Sequence, residues 1–309
     1  MPLSHWEGSW FEVQLRREFF VRDGTSFQRL FSDLMKRRHS VHFSTVCPWG
    51  SEGDWKNDGY LSTKRQIFQC YAPRELKKGP ILSKIRKDSN GAFAKWGVHI
   101  DEWTLVHNVV DGLPPYILSE LLSLTSRHAP ASATAWGFEE LWRIVRELPV
   151  EDNVAVFGPV VADEDFASLE FRDIIGVMES VAHHEPPRDS AVAVVPPGKI
   201  EANHLPACVV DYLQLGMRRA TFVDECFKRD ADPLLGDRAA EAFNNKYREL
   251  KGRRLTATQI YDQLRVFAGG GGDGRLSSRQ DAAVFAVLAY FFERCDIFEA
   301  PPSRTRAVV

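Results

Sequence analysis

Residues 53–71, GDWKNDGYLSTKRQIFQCY, form the stretch from which the fold can be read. Gly53-Asp54 through Asp58-Gly59 make an acidic turn, and a short strand follows. Thr63-Lys64-Arg65 make a polar turn, and an apolar strand ends in Phe68-Gln69-Cys70-Tyr71. Side chains alternate faces along a strand, so Gln69 and Tyr71 share one face while Cys70 takes the other. Asp58 can then meet Gln69 across the hairpin, and together they offer oxygen ligands to a hard cation such as Mg²⁺. Asp54 and Asp58 in a glycine-flanked turn also fit plain turn formation, because Asp hydrogen-bonds its own backbone there.

Working outward, Phe27, Leu30, Phe31 and Leu34 fall at i, i+3, i+4 and i+7 and predict an amphipathic first helix, with a strand over 40–46 after it. Beyond the hairpin, 81–96 reads as a helix, 103–108 as a strand, and Leu113-Pro114-Pro115 as the start of a helix to Leu124, since proline suits a first turn. The order is helix, three strands, helix, strand, which predicts an α/β layer built on one sheet. After about residue 150 the texture changes. Residues 153–161 read as a last strand or an extended linker, and Asp163-Glu164-Asp165 as acids opening a helix whose apolar stripe runs from Phe166 to Val181. A proline-rich connector over 183–199 leads to helices over 205–223, 236–250, 257–267 and 279–292, two of them announced by capping boxes, Thr256 with Gln259 and Ser278 with Asp281. The expected organisation is an α/β domain over 1–150 and an all-α domain over 151–309.

Charge divides along the same line. Residues 1–100 carry 17 Lys+Arg against 10 Asp+Glu, net +7, whereas the remainder is net −10. A basic first part suits a polyanionic substrate and an acidic second part suits a protein partner. Lys56, Lys64, Arg65, Lys77, Lys78, Lys84 and Lys87 surround the acidic turn and are the candidate nucleic-acid contacts. Five scattered cysteines without a C-x-x-C pair indicate a reducing cytoplasm and argue against a structural zinc. The first residues, MPLSHWE, show no export signal, and the longest apolar run, Ala282 to Phe292, is too short to span a membrane, so it reads as a buried helix.

Other features carry less chemistry. Trp96, Trp103 and Trp136 read as core rather than as base-stacking platforms. His39 and His42, His107, and His183 with His184 have no Cys or carboxylate at metal-ligand spacing. Gly269 to Gly272 lack the Gly-Lys-Ser/Thr ending of a nucleotide-binding loop and read as a connector. Cys70 has no activating neighbour in sequence, which argues against a cysteine nucleophile.

The order of elements and the GDWKNDGY…FQCY hairpin resemble the restriction-endonuclease-like fold, in particular Mrr-like enzymes with a G-D-x-x-x-D turn and a Q-x-K strand. The resemblance covers about residues 24–110. It implies a mixed sheet flanked by helices, with Asp58 as the metal-binding Asp, Gln69 as the Gln of the strand motif and Mg²⁺ as the cofactor of phosphodiester hydrolysis. Two positions depart from the pattern: Tyr71 stands where the Lys is expected, and Gln28 where many members place a Glu. The Lys stabilises developing phosphate charge, and a phenol donates a hydrogen bond without supplying charge, so Lys77 or Lys78 is the candidate replacement. Asp58, Gln69 and Tyr71 are then the catalytic set. A second resemblance rests on GKIEANHL (198–205), DPLLGDRAAEAF (232–243) and AVLAYFFERCDIFEAP (286–301), which look like C-terminal regions of bacterial ABC-three-component conflict systems. It implies an antiviral or anti-plasmid role and an ABC-type ATPase as partner. Two functions stay open: a nuclease effector, and a non-cleaving nucleic-acid-binding sensor or adaptor that docks the ATPase.

Overall fold

Five strands make one mixed sheet in the order β1 (Phe43–Thr45), β2 (Gly59–Leu61), β3 (Gln66–Tyr71), β4 (Glu102–His107) and β5 (Ser132–Trp136). The first three form an antiparallel meander, and β4 and β5 continue parallel to β3. The computed structural model describes residues 3–46, 55–182, 199–253, 255–269, 276–294 and 297–299.

Helices are numbered in chain order: α1 (His5–Val21), α2 (Gly24–His39), α3 (Lys78–Trp96), α4 (Pro115–Arg127), α5 (Phe138–Glu147) and α6 (Val150–Phe157). Parallel strands need long crossovers, and α3 and α4 supply them. They cover one face of the sheet, where Ile81, Ile85, Ile117 and Leu121 pack on Ile67, Trp103 and Leu105. On the other face, Phe31 of α2 lies 5.2 Å from the ring of Phe68, which also meets Phe43 and Trp136. Both faces of β3 are therefore covered, and every residue from Gln66 to Cys70 is buried. An α/β domain with a mixed sheet was the expected class. The sheet gains β5 and α5, which the periodicity had not marked, and Ser40–His42 is a 3-10 turn, leaving β1 only three residues.

Two compact units are present, one from Gln14 to Phe157 and one comprising Ser4–Val13 with the chain from Gly158 onward. The second unit is helical: α7 (Asp163–Ala167), α8 (Phe171–Ala182), α9 (Lys199–Ala202), α10 (Ala207–Met217), α11 (Ala220–Arg229), α12 (Leu235–Gly252), α13 (Ala257–Ala268) and α14 (Ser278–Glu293). The apolar run from Ala282 to Phe292 is buried in α14, the central helix, against which α7, α8, α10, α11 and α13 pack. Among the described residues no helix is long and apolar enough to cross a membrane.

Several local expectations need correction. Residues 150–157 form helix α6 rather than a strand or linker, because Asn153 is buried and bonds the carbonyl of Val145 at 2.9 Å, while Gly158 at φ +92° stops the helix. The stripe from Phe166 to Val181 is two helices, since the carboxylate of Asp173 accepts from Glu170 N and caps a fresh start. Helix 205–223 is likewise divided near Arg218-Arg219. The Thr256–Gln259 capping box is present, but the one at α14 is Ser277 with Gln280, while Ser278 bonds Asp165 instead. Of the expected connectors over 183–199 and 269–272, residues 183–198 and 270–272 lie outside the described residues, as do Gly53 and Asp54 of the acidic turn, while Lys199 opens α9.

A buried ion pair holds the helical unit together. Arg265 of α13 donates to Asp281 of α14 at 2.8 Å and to the Val13 carbonyl at 3.0 Å, with its guanidinium 4.7 Å from the Phe285 ring centre. Removing one partner strands the other charge out of water, which costs about 3–5 kcal/mol. Asp281→Ala is therefore expected to lower unfolding stability by that amount, read as a shift in the urea midpoint. A midpoint equal to that of the unsubstituted chain would show that the guanidinium is satisfied without the carboxylate.

Candidate functional site

The hairpin register decides what meets what. Gly59 pairs with Phe68, so Asp58 falls opposite Gln69, and the Asp58 backbone N–H donates to the Phe68 carbonyl at 2.8 Å. Asn57 shapes the entry: its side-chain oxygen accepts from Gly59 N at 2.7 Å, closing an Asx turn. A Cβ at Gly59 would lie 2.4 Å from the Phe43 ring, so any larger residue would have to displace that ring.

Asp58 is only 8% exposed, and both its oxygens are engaged. Oδ1 accepts from Gln28 Nε2 of α2 at 2.9 Å; Oδ2 accepts from Gln69 Nε2 and from Cys70 N, each at 2.7 Å. Gln28, Asp58 and Gln69, distant in sequence, thus converge on one carboxylate. The Gln69 amide, 6% exposed, leaves its Oε1 buried without a hydrogen-bond partner. An amide presents oxygen instead of N–H after a half-turn of its terminal torsion. The same three side chains are then one carboxylate and two neutral oxygens. Mg²⁺ is commonly held by one or two carboxylates together with waters and substrate phosphate, so this donor set fits a hard cation, and the orphaned Oε1 is the atom such an ion would satisfy. Among the described residues no group of three or more His, Cys, Asp or Glu could hold a metal.

Tyr71 ends β3 on the Gln69 face, half-buried, and pairs with His107 across the parallel ladder. The cation that comes to it is Lys84 of α3, whose Nζ lies 5.9 Å from the Tyr71 ring centre. Asp88, buried one helical turn on, accepts from Lys84 Nζ at 2.5 Å and faces Lys56 Nζ at 3.5 Å. Lys77 and Lys78, the expected replacements for the strand Lys, are directed elsewhere: Lys77 pairs with Glu75 at 3.1 Å, and Lys78 lies over the Tyr116 ring at 5.2 Å. The candidate nucleic-acid contacts also divide. Lys64 and Arg65 precede the first residue of β3, which sets them roughly 20 Å along the chain from Tyr71, and Arg65 pairs with Asp101 at 3.4 Å. Lys56, Lys84 and Lys87 share the α3 side, with Lys87 exposed.

Burial raises the Cys70 thiol well above its ordinary value and the Asp58 carboxylate adds to the rise, with Lys84 opposing it, so Cys70 is held as the thiol. His107 was not among the expected site residues. Burial lowers its pKa to about 4, and Nδ1 accepts from Val109 N at 3.2 Å, so the ring is neutral at pH 7. Its neighbour is Gly137, where a Cβ would fall 2.5 Å from the imidazole. Only the strand pairing reveals that His107 adjoins Tyr71; in sequence, nothing but the alternation of Trp103, Leu105 and His107 points that way.

Residues 172–299 match the family model for C-terminal domain 10 of the ABC-three component (ABC-3C) systems. The match spans α8 to α14 and falls within the helical unit. It points to a component of a bacterial defence system. No curated protein matches the chain. No solved structure matches it either.

The His107 environment yields a pH test. Its folded pKa of about 4 lies below the ordinary 6.5, so the unfolded chain binds the extra proton first as pH falls. The contribution is complete above about pH 6.5 and is lost between there and about pH 4, with an order of magnitude of about 3 kcal/mol. Urea midpoints measured across that window are expected to fall with pH, and His107→Gln to flatten the slope. An unchanged slope in the variant would assign the acid sensitivity to other groups.

Proposed function

We propose that the chain is a nuclease-like effector of an ABC-three-component defence system, with the phosphodiester site in the α/β unit and the partner-docking surface in the helical unit. One observation carries the first half: Gln28, Asp58 and Gln69, from α2, the hairpin turn and β3, meet at 2.7–2.9 Å around one buried carboxylate. The order of elements, a helix leading into an antiparallel meander followed by a helix and a parallel strand, supports the restriction-endonuclease-like reading. The match over residues 172–299 supports the second half.

In this reading Asp58, Gln69 and Gln28 would hold Mg²⁺, whose chemistry there would be to activate a water and offset phosphate charge. Lys84 takes the part of the missing strand Lys. Its ammonium faces the Tyr71 ring and can stabilise a phosphoryl group there, while Tyr71 donates a hydrogen bond to the same group. Asp88 pairs with Lys84 in the free protein and competes with phosphate for it, so cleavage is conditional on substrate, or on a partner, loosening that pair. The second reading, nucleic-acid binding without cleavage, is favoured by the Asp58 carboxylate already taking three N–H donors.

Cleavage of single-stranded and duplex DNA and RNA with Mg²⁺ or Mn²⁺, with and without the partner components, separates the two. Asp58→Ala is expected to abolish cation-dependent cleavage, and Lys84→Ala to reduce it by about 10²–10³. Tyr71→Lys should raise it. Absence of cleavage by the unsubstituted chain under all conditions selects the binding-only reading, and cleavage surviving Asp58→Ala places the chemistry elsewhere.

Docking is checked separately. The full chain is expected to capture an ABC-type ATPase or other component encoded with it, and removal of residues 172–299 to abolish capture while Asp58→Ala leaves it intact. Capture by the chain lacking 172–299 would reverse the division of labour.

A further inference from the structure

Two consecutive residues just before Asp58 sit where side-chain-bearing residues rarely go: Trp55 at φ +49° and Lys56 at φ +60°. The left-handed region crowds Cβ against the backbone, so such a turn persists only where its surroundings hold it. Here α3 holds it. The Lys56 stem lies so close to Gly91 that a Cβ there would stand 2.8 Å from Lys56 Cγ, and Lys56 Nζ reaches the buried Asp88 at 3.5 Å.

The turn does not bury the indole it carries. Trp55 is 39% exposed and meets Trp96, the last residue of α3, edge-to-face at 5.9 Å. Trp96 in turn stacks on Tyr60 of β2 at 5.1 Å with the rings 20° apart, and Tyr60 OH is fixed on the His99 carbonyl at 3.1 Å. Lys95 Nζ stands 5.9 Å from the Trp55 ring centre. Trp103 is a core residue, fully buried, as expected of it. Trp96 is half-buried: it packs against that core and carries Trp55 on its outer side, beside a cation. The array sits in a stretch, residues 55–101, with ten Lys+Arg against four Asp+Glu.

We infer that this array of Trp55, Trp96, Tyr60 and Lys95 is a stacking platform for an unpaired nucleic-acid base, so that the substrate of the Asp58 site is single-stranded or locally opened nucleic acid. The inference rests on the nucleic-acid reading of that site and specifies its substrate class. Bases within a duplex have both faces covered by their neighbours, whereas an unpaired base can lie on an indole while Lys95 meets its phosphate. Trp55 lies three residues before Asp58, at most about 10 Å of extended chain, so a strand anchored there is within reach of the Asp58 turn. A surface made for an apolar protein partner has less use for a lysine over the ring and for the excess of positive charge around it.

The test measures anisotropy of a labelled oligo-dT, the duplex of equal length and an abasic strand of equal length, with the full chain in EDTA. Trp55→Ala is expected to weaken oligo-dT binding by roughly 5- to 150-fold while leaving abasic-strand binding unchanged, because stacking is lost and phosphate contacts are kept. Trp55→Phe should retain most of the affinity, and Lys95→Glu should weaken oligo-dT and abasic strand alike. Oligo-dT binding unchanged in Trp55→Ala overturns the platform, as does an equal loss on the abasic strand or a Trp55-dependent preference for duplex. A chain that binds no oligonucleotide and loses partner capture in Trp55→Ala also overturns it, in favour of a protein-docking patch. Cleavage of the same strand with Mg²⁺ is scored apart. Trp55-dependent binding without cleavage sustains the platform and removes the nuclease reading, whereas Asp58-dependent cleavage with Trp55-independent binding does the reverse.

Discussion

The carboxylate of Asp58 is a buried anion that collects three N–H donors, one from α2, one from the β3 side chain and one from the β3 backbone. A charge removed from water is tolerable only when hydrogen-bonded on all sides, so this group ties helix, turn and strand into one arrangement. The backbone bond from Asp58 N to Phe68 O places it, the Asn57 turn aims it, and Phe43 packed on Gly59 closes the space beside it. Everything proposed for the α/β unit, from a cation on Asp58 to a strand passing Trp55, depends on that carboxylate being where it is.

Around it the neighbouring groups come from different elements. The strand position where a Lys is expected carries Tyr71, and the cation arrives from the next helix as Lys84, already paired with Asp88. In the proposed phosphodiester reading, that pair competes with phosphate for Lys84. Asp88 also faces Lys56, so the pair that restrains Lys84 is shared with the strained turn that presents Trp55.

The helical unit solves a different problem, that of seating charged groups within an apolar bundle. Arg265 is bonded to Asp281 and to the Val13 carbonyl and lies over Phe285, while Lys199 donates to the carbonyls of Phe292 and Ile297 at 2.7 and 2.6 Å at the end of α14. These contacts are directional, and they fix how α13, α14 and the flanking segments meet where apolar packing alone is permissive. Close approach adds to this at Gly216, where a Cβ would stand 2.6 Å from the Phe285 carbonyl. Residues 199–205, part of one of the stretches whose resemblance pointed to a conflict-system domain, include this buried Lys199, so at least part of that signature is structural.

Local periodicity was sufficient for the helices α2, α3, α4 and α14 and for the β2–β3 hairpin, because an amphipathic stripe or a turn with its flanking apolar run is written in neighbouring residues. The meeting of Asp58 with Gln69 followed from the same rule of alternation. The α6 helix did not, because its β-branched residues favour a strand until Asn153 is given the carbonyls of Val145 and Leu148 to bond. Nor did the approach of Lys84 to Tyr71, the pairing of Tyr71 with His107, or the array of Trp55, Tyr60 and Trp96. Sequence by itself determined the class of the two parts, the hairpin and the meeting of Asp58 with Gln69. Tertiary structure alone decided which lysine reaches Tyr71 and which tryptophans stay at the surface, since both depend on how α3 lies across the sheet, a contact between residues that no spacing along the chain encodes.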